Sequence, residues 1–115
     1  MITSDTLRGY NEMFILFVLL SNDSYGYEIS KEIERVAGGG YTIKETTLYS
    51  AFTRLEANGH VASYYGDETF GKRRTYYKIT KEGRALYQAK CREWAQAKTV
   101  IDRFVSEEEK SNGSD

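Results

Sequence analysis

Lys72, Arg73, Arg74, Lys78, Lys81 and Arg84 crowd into the stretch from Gly71 to Arg84, opposed by Glu82 alone. That stretch carries +5 and the rest of the chain −6, for a net charge of −1. Clustered cations neutralise phosphates and release the counterions condensed on them, so the affinity they give falls steeply with salt. A basic segment on an acidic body lets one surface meet nucleic acid while the remainder keeps the protein soluble. A solvated charged hairpin would carry the same run of cations.

A second set of polar side chains lies between positions 44 and 54. Thr46, Thr47, Tyr49, Ser50, Thr53 and Arg54 share the polar side of a helical pattern, and Lys44 precedes them. All can hydrogen-bond phosphates or base edges. The first turns of a helix add free N–H groups and the positive end of its dipole. Tyr49 is the strongest candidate for a phosphate contact, whereas Lys44 and Arg54 can reach backbone or base. Most protein–DNA hydrogen bonds only position the protein.

Other chemistry finds little support. His60 is the single histidine and has no cysteine or second histidine near it in sequence, which leaves no credible metal site or catalytic triad. Cys91 is the single cysteine, excludes an internal disulfide, and reads as a small apolar residue. Gly38-Gly39-Gly40 follows no strand and precedes no Gly-Lys-Ser/Thr, so it is no phosphate loop. An enzyme would need a nucleophile–base pair that these residues do not supply, and no cofactor is expected.

Three helices, a hairpin and a last helix must position the polar sets. Ser4 or Asp5 can cap a first helix, in which Leu7, Tyr10, Phe14, Phe17 and Leu20 recur at spacings of three and four. The turn 21–24 ends it. A second helix runs from about Tyr25 to Ala37 with Ile29, Ile33 and Val36 as its apolar stripe, and the three glycines stop it. Thr42 and Glu45 form a capping box for a third helix, whose Leu48, Ala51, Phe52 and Leu55 face inward. Gly59 closes it. His60 to Tyr65 and Arg73 to Ile79 alternate as strands around a turn at 66–71. Of Tyr76 and Tyr77, one packs beneath the hairpin and one faces out. Thr80 caps a last helix reaching about Val105. There Tyr87, Trp94 and Ile101 recur every seven residues, with Ala97 and Phe104 on the same side. A seven-residue apolar repeat suits a partner helix, although it could also pack on its own domain. The fold class is mainly α with a small β-hairpin: a winged helix-turn-helix with a long C-terminal dimerisation helix.

Three segments carry a family resemblance. They are Tyr25-Gly26-Tyr27-Glu28-Ile29, then Thr47-Leu48-Tyr49 through Arg54-Leu55-Glu56-Ala57-Asn58-Gly59, then Gly71-Lys72-Arg73-Arg74-Thr75-Tyr76-Tyr77 through Gly83. In this order, over nearly the whole chain, they resemble the PadR family of transcriptional regulators in its short form with one C-terminal helix. The resemblance implies a homodimer, usually a repressor, on two-fold operator DNA. It resembles in particular the multidrug-responsive members, which share the Gly66-Asp67-Glu68 turn and a tryptophan at the position of Trp94. There the tryptophans of a dimer flank a channel and stack on flat aromatic compounds. Those relatives carry an acidic residue one turn past the tryptophan, where this chain has Lys98, which would oppose cationic compounds. Glu12 would restore negative charge if the first helix lines the channel. Trp94 would equally serve as a plain interface anchor.

Together these readings set the expectations. Residues 1–79 form the DNA-binding domain, with the first helix also in the dimer; 80–106 form the dimerisation helix; 107–115 form a flexible acidic tail. Tyr25, Lys44, Thr46, Thr47, Tyr49, Ser50, Arg54, Lys72, Arg73 and Arg74 face operator DNA. Glu12, Met13, Trp94 and Lys98 surround a planar aromatic ligand. Tyr87, Trp94, Ile101 and Phe104 hold the dimer. The apolar run Phe14–Leu20 is too short to span a bilayer, no cleavage site follows it, and the lone cysteine suits a reducing cytoplasm. The alternatives are a winged-helix protein-interaction module and a regulator without a ligand.

Overall fold

A nearly unbroken apolar helix sits at the centre of the protein in a computed structural model. The structure describes residues 2–3, 5–69 and 72–105, with 67–69 and 72 described by their backbone alone. The candidate cap Ser4, the turn residues Phe70 and Gly71, the Lys72 side chain and the tail from 106 onward lie outside the described residues. Helix α1 (Asn11–Leu19) places Ile15, Leu16 and Leu19 in the core, each at most 2% exposed. It begins later than its apolar spacing predicts, after a single 3-10 turn at Arg8–Tyr10. Gly9 weakens helix within this segment, and the Asp5 carboxylate pairs with Arg8 instead of capping amides. Asn11 fixes the actual start: its buried Oδ1 accepts from the Tyr41 hydroxyl at 2.7 Å.

Helix α2 (Gly26–Val36) buries Ile29 and Ile33, while Val36, the third member of its stripe, stays 50% exposed. Gly38 and Gly39 take φ of 62° and 78°, the left-handed region that glycine enters without strain. Helix α3 (Glu45–Ala57) buries all four expected residues, Leu48, Ala51, Phe52 and Leu55. The capping box does not form. Lys44 is the N-cap, with no side-chain cap, and the Thr42 hydroxyl donates to Glu34 Oε2 at 3.0 Å. The reason is tertiary. Tyr41 and Ile43 are both buried, so the chain runs extended and turns Thr42 outward, away from the helix end.

The hairpin pairs β2 (Val61–Thr69) with β3 (Lys72–Ile79). Pairing continues past Gly66, where a turn was expected, to Thr69 opposite Lys72. Gly66 and Asp67 instead form a bulge opposite the single residue Arg74. A Cβ on Gly66 would overlap the Tyr76 ring. A further strand, β1 (Ser24–Tyr25), pairs with Tyr77 and Tyr76 and puts β3 in the middle of the order β1-β3-β2. Tyr77 is the inward tyrosine, stacked on Phe52 at 4.0 Å. Tyr76 turns to the opposite face yet remains half-buried between Tyr25 and Tyr64.

Helix α4 (Lys81–Val105) starts as predicted, with the Gly83 amide donating to the Thr80 hydroxyl at 3.0 Å. Its 25 residues span about 37 Å. The protein measures 67 × 28 × 22 Å, with a radius of gyration of 17.4 Å. About 13 Å would suit a compact chain of this length, so the far half of α4 projects from the body. No helix among the described residues is long and apolar enough to cross a membrane.

Gly83 is the point where α4 is pressed onto the body. An added Cβ would overlap the His60 carbonyl oxygen and lie 2.8 Å from Ile79 Cγ1. That carbonyl is fixed, because it accepts the Thr80 amide at 3.1 Å. Glycine to alanine in a free helix stabilises by about 1 kcal/mol. Here the overlap reverses the sign, and Gly83→Ala should destabilise by about 3 kcal/mol and lower Tm by roughly 12–20 °C. A thermal melt followed by circular dichroism reads this directly. A variant that melts at or above the wild-type temperature would mean that α4 is free to slide off the turn.

Candidate nucleic-acid interface

Two tyrosines, one exposed and one half-buried, join α3 to the start of α2. Tyr49 projects from α3, 46% exposed, with its hydroxyl end against Gly26, where any Cβ would overlap it. Its ring meets Phe52 edge-on at 5.4 Å, which ties an exposed residue to the core. One residue before Gly26, Tyr25 packs edge-on to Tyr76 at 5.5 Å. The glycine between them therefore has a packing reason that sequence alone does not state.

The hairpin adds Arg74 to this edge and carries Arg73 on its other face. Alternation along β3 sends Arg74 and Tyr76 to one face and Arg73, Thr75 and Tyr77 to the other. The Arg74 guanidinium lies 4.3 Å from the centroid of the Tyr25 ring, and that of Arg73 lies 4.4 Å from the Tyr65 ring. Each arginine is exposed and rests on an aromatic face, which limits its wandering while its N–H groups stay free to donate. Behind Tyr25 the stack continues through Tyr76 to Tyr64, 5.8 Å apart and nearly parallel. The Tyr64 hydroxyl donates to Asp23 Oδ2 at 2.6 Å. Donation to that carboxylate holds the Tyr64 phenol above its ordinary pKa. The hairpin is thereby tied to the loop before β1. Neither Asp23, Tyr64 nor Tyr65 was among the predicted site residues; an aromatic–cation alternation across the paired strands was the available signal.

The remaining predicted residues fall into separate groups. Lys44, Thr46 and Ser50 are exposed along the first half of α3, and Thr47 is half-buried. Arg54, in the last turn of α3, donates from Nε to Glu12 Oε2 on α1 at 3.1 Å and reaches the Ser50 hydroxyl at 3.4 Å. Glu12 thus faces α3, not Lys98. Lys98 pairs with Asp102 along its own helix at 2.9 Å. Trp94, 44% exposed, meets Tyr10 edge-on at 5.7 Å, and Tyr87 lies 6.2 Å from Phe17. Met13 lines an apolar groove of about 330 Å³ with Leu7, Phe14, Phe17, Val36 and Tyr87, and Trp94 is not among its walls. Ile101 and Phe104 are 52% and 76% exposed. Cys91 is half-buried. His60 is half-buried at the α3–β2 junction, its Nδ1 buried without a hydrogen-bond partner among the described residues.

Known proteins align with this architecture over most of its length. The model of the transcriptional regulator PadR-like family matches residues 15–89. An uncharacterized protein of Lysinibacillus sphaericus is 44% identical over 105 residues, covering 91% of this chain and 96% of the relative. A transcriptional regulator from Clostridium thermocellum superposes with a TM-score of 0.84 at 57% identity, over 91% of this chain and 99% of that one. A PadR family transcription regulator from Clostridium difficile gives 0.72 at 35% identity, over 84% and 98%.

Proposed function

This chain belongs to the transcriptional regulator PadR-like family, and from that premise we propose that it is a homodimeric DNA-binding repressor released from its operator by a flat aromatic compound at Trp94. The observation that carries the DNA half is the pair of exposed guanidiniums held on tyrosine rings, Arg74 on Tyr25 next to the Gly26–Tyr49 contact and Arg73 on Tyr65 across the hairpin. In a winged helix-turn-helix the third helix enters the major groove and the wing follows the backbone. Lys44, Thr46, Thr47, Tyr49 and Ser50 then meet the groove and its phosphates, and Tyr25, Lys72, Arg73 and Arg74 grip the flank. Residues 1–79 form the DNA-binding unit and 80–106 the dimerisation helix, with Tyr87, Trp94, Ile101 and Phe104 along the seam.

The ligand half rests on the half-exposed indole and on the family likeness. Of the charges assigned to this region, Glu12 is held by Arg54 and Lys98 by Asp102. With both charges engaged by other side chains, the site selects flat apolar surface over charge. A ligand acts by binding one spacing of the recognition helices better than the other, since only differential affinity shifts a population.

The test is a titration of the pure protein with cationic, neutral and anionic planar aromatic compounds, followed by Trp94 emission and by operator release. Neutral compounds should quench saturably at about one per dimer. The protein should hold duplex from its own upstream region about a thousandfold or more tighter than random duplex. Trp94→Ala should keep hold of that duplex at compound concentrations that release the wild type. Release that survives in Trp94→Ala sinks the ligand half, and equal affinity for random duplex sinks the DNA half.

A further inference from the structure

The first turn of α1 touches two functional surfaces at once. Tyr10, the residue before the helix, sets its ring at 83° to Trp94 with 5.7 Å between centroids. Two residues on, Glu12 accepts from Arg54 Nε at 3.1 Å. Arg54 sits at the end of the recognition helix and extends Nη1 to Ser50, one turn back on the surface assigned to DNA. Glu12 is the better enclosed partner, its side chain 25% exposed against 52% for Arg54. Between Tyr10 and Glu12 there is no loop to absorb a displacement, only the junction of a 3-10 turn with an α-helix.

A half-exposed ion pair of this kind adds little to stability. Its consequence is geometric: it fixes one end of α3 to α1. It also sets a carboxylate against the Arg54 guanidinium, which extends along α3 to Ser50.

We propose that Glu12 is a positioning residue, which through Arg54 sets the recognition helix against α1 and, through the same helical turn and Tyr10, couples that helix to the surroundings of Trp94. The coupling rests on the regulator reading above but needs no ligand at Trp94. It is reciprocal: if the Trp94 surface biases α3, DNA that clamps α3 must bias the Trp94 surface. A relay through contiguous contacts stands only on a demonstrated coupling between its ends.

Trp94 is the only tryptophan, so its emission reports this one place. The experiment saturates the full-length protein with duplex from its own upstream region and reads the change in Trp94 emission. Wild type should show a saturable change. Glu12→Ala, at saturating duplex, should show a change at least fourfold smaller, and Tyr10→Leu, which cuts the other end of the relay, should show the same loss. A merely structural role for Glu12 would lower Tm and leave the emission change intact. Should Glu12→Ala fail to fold, Tyr10→Leu decides. A full emission change in both variants, or no change in a wild type that binds the duplex, overturns the relay. A wild type that prefers its upstream duplex no more than random DNA overturns the regulator reading, and the relay falls with it.

Discussion

Replacing Arg73 and Arg74 together by alanine should weaken operator binding about a thousandfold at 0.15 M salt. A dimer presents both arginines twice. Each phosphate contact contributes about 0.9 to the slope of log affinity against log salt, which amounts to roughly fivefold per contact between 1 M and 0.15 M. Four contacts therefore account for close to three decades, and the slope itself should fall by between three and four. Fluorescence anisotropy at four or five salt concentrations measures both quantities. The slope is the sharper readout, because a variant weakened by misfolding loses affinity without a matching loss of slope. Both side chains are exposed and rest on rings that do not need them for packing, so the variant should melt within a few degrees of wild type. A slope that does not move would assign the cations to a solvated hairpin surface and end the DNA reading of the wing.

Much of this arrangement is legible in the sequence because it is local. Leu48, Ala51, Phe52 and Leu55 recur at helical spacing, and all are buried. Thr80 caps α4, and alternation sorts Tyr76 from Tyr77. What the local pattern does not carry depends on contacts remote in sequence. Thr42 and Glu45 satisfy every local rule for a capping box, yet burial of Tyr41 and Ile43 takes Thr42 elsewhere. Strand β1 is only two residues long, and it exists because Tyr76 and Tyr77, some fifty residues on, supply a pairing edge. Gly66 has the composition of a turn, but its role is to clear the ring of Tyr76 within a bulge. The Glu12–Arg54 pair spans 42 residues and leaves no spacing signal at all. The cluster of cations could be read from composition; the tyrosines that hold two of them could not, since an aromatic in a strand is as readily core as platform.

Aspartate at both Ile101 and Phe104 should leave the protein monomeric at about 10 μM and carry operator binding down into the micromolar range typical of non-specific contact. The apolar stripe of α4 is covered progressively less along its length. Tyr87 is covered from within the protomer by Phe17, Trp94 is half-covered by Tyr10, and Ile101 and Phe104 stand 52% and 76% exposed. Val36 and Phe17, 50% and 43% exposed on α2 and α1, line an apolar groove together with Tyr87. A stripe satisfied internally at one end and bare at the other is what a helix presents when a second copy completes it. Desolvating a carboxylate in that seam without a partner costs several kcal/mol, and a dimer counts each substitution twice. Sedimentation equilibrium gives the mass. The wild-type Tm should rise with protein concentration and that of the variant should not, because only association links stability to concentration. With the dimer lost, each recognition helix binds one half-site alone, so the loss in affinity should come without a change in the contacts that Arg73 and Arg74 make. A variant that remains dimeric would place the interface on the α1–α2 groove alone and leave the far half of α4 for another partner.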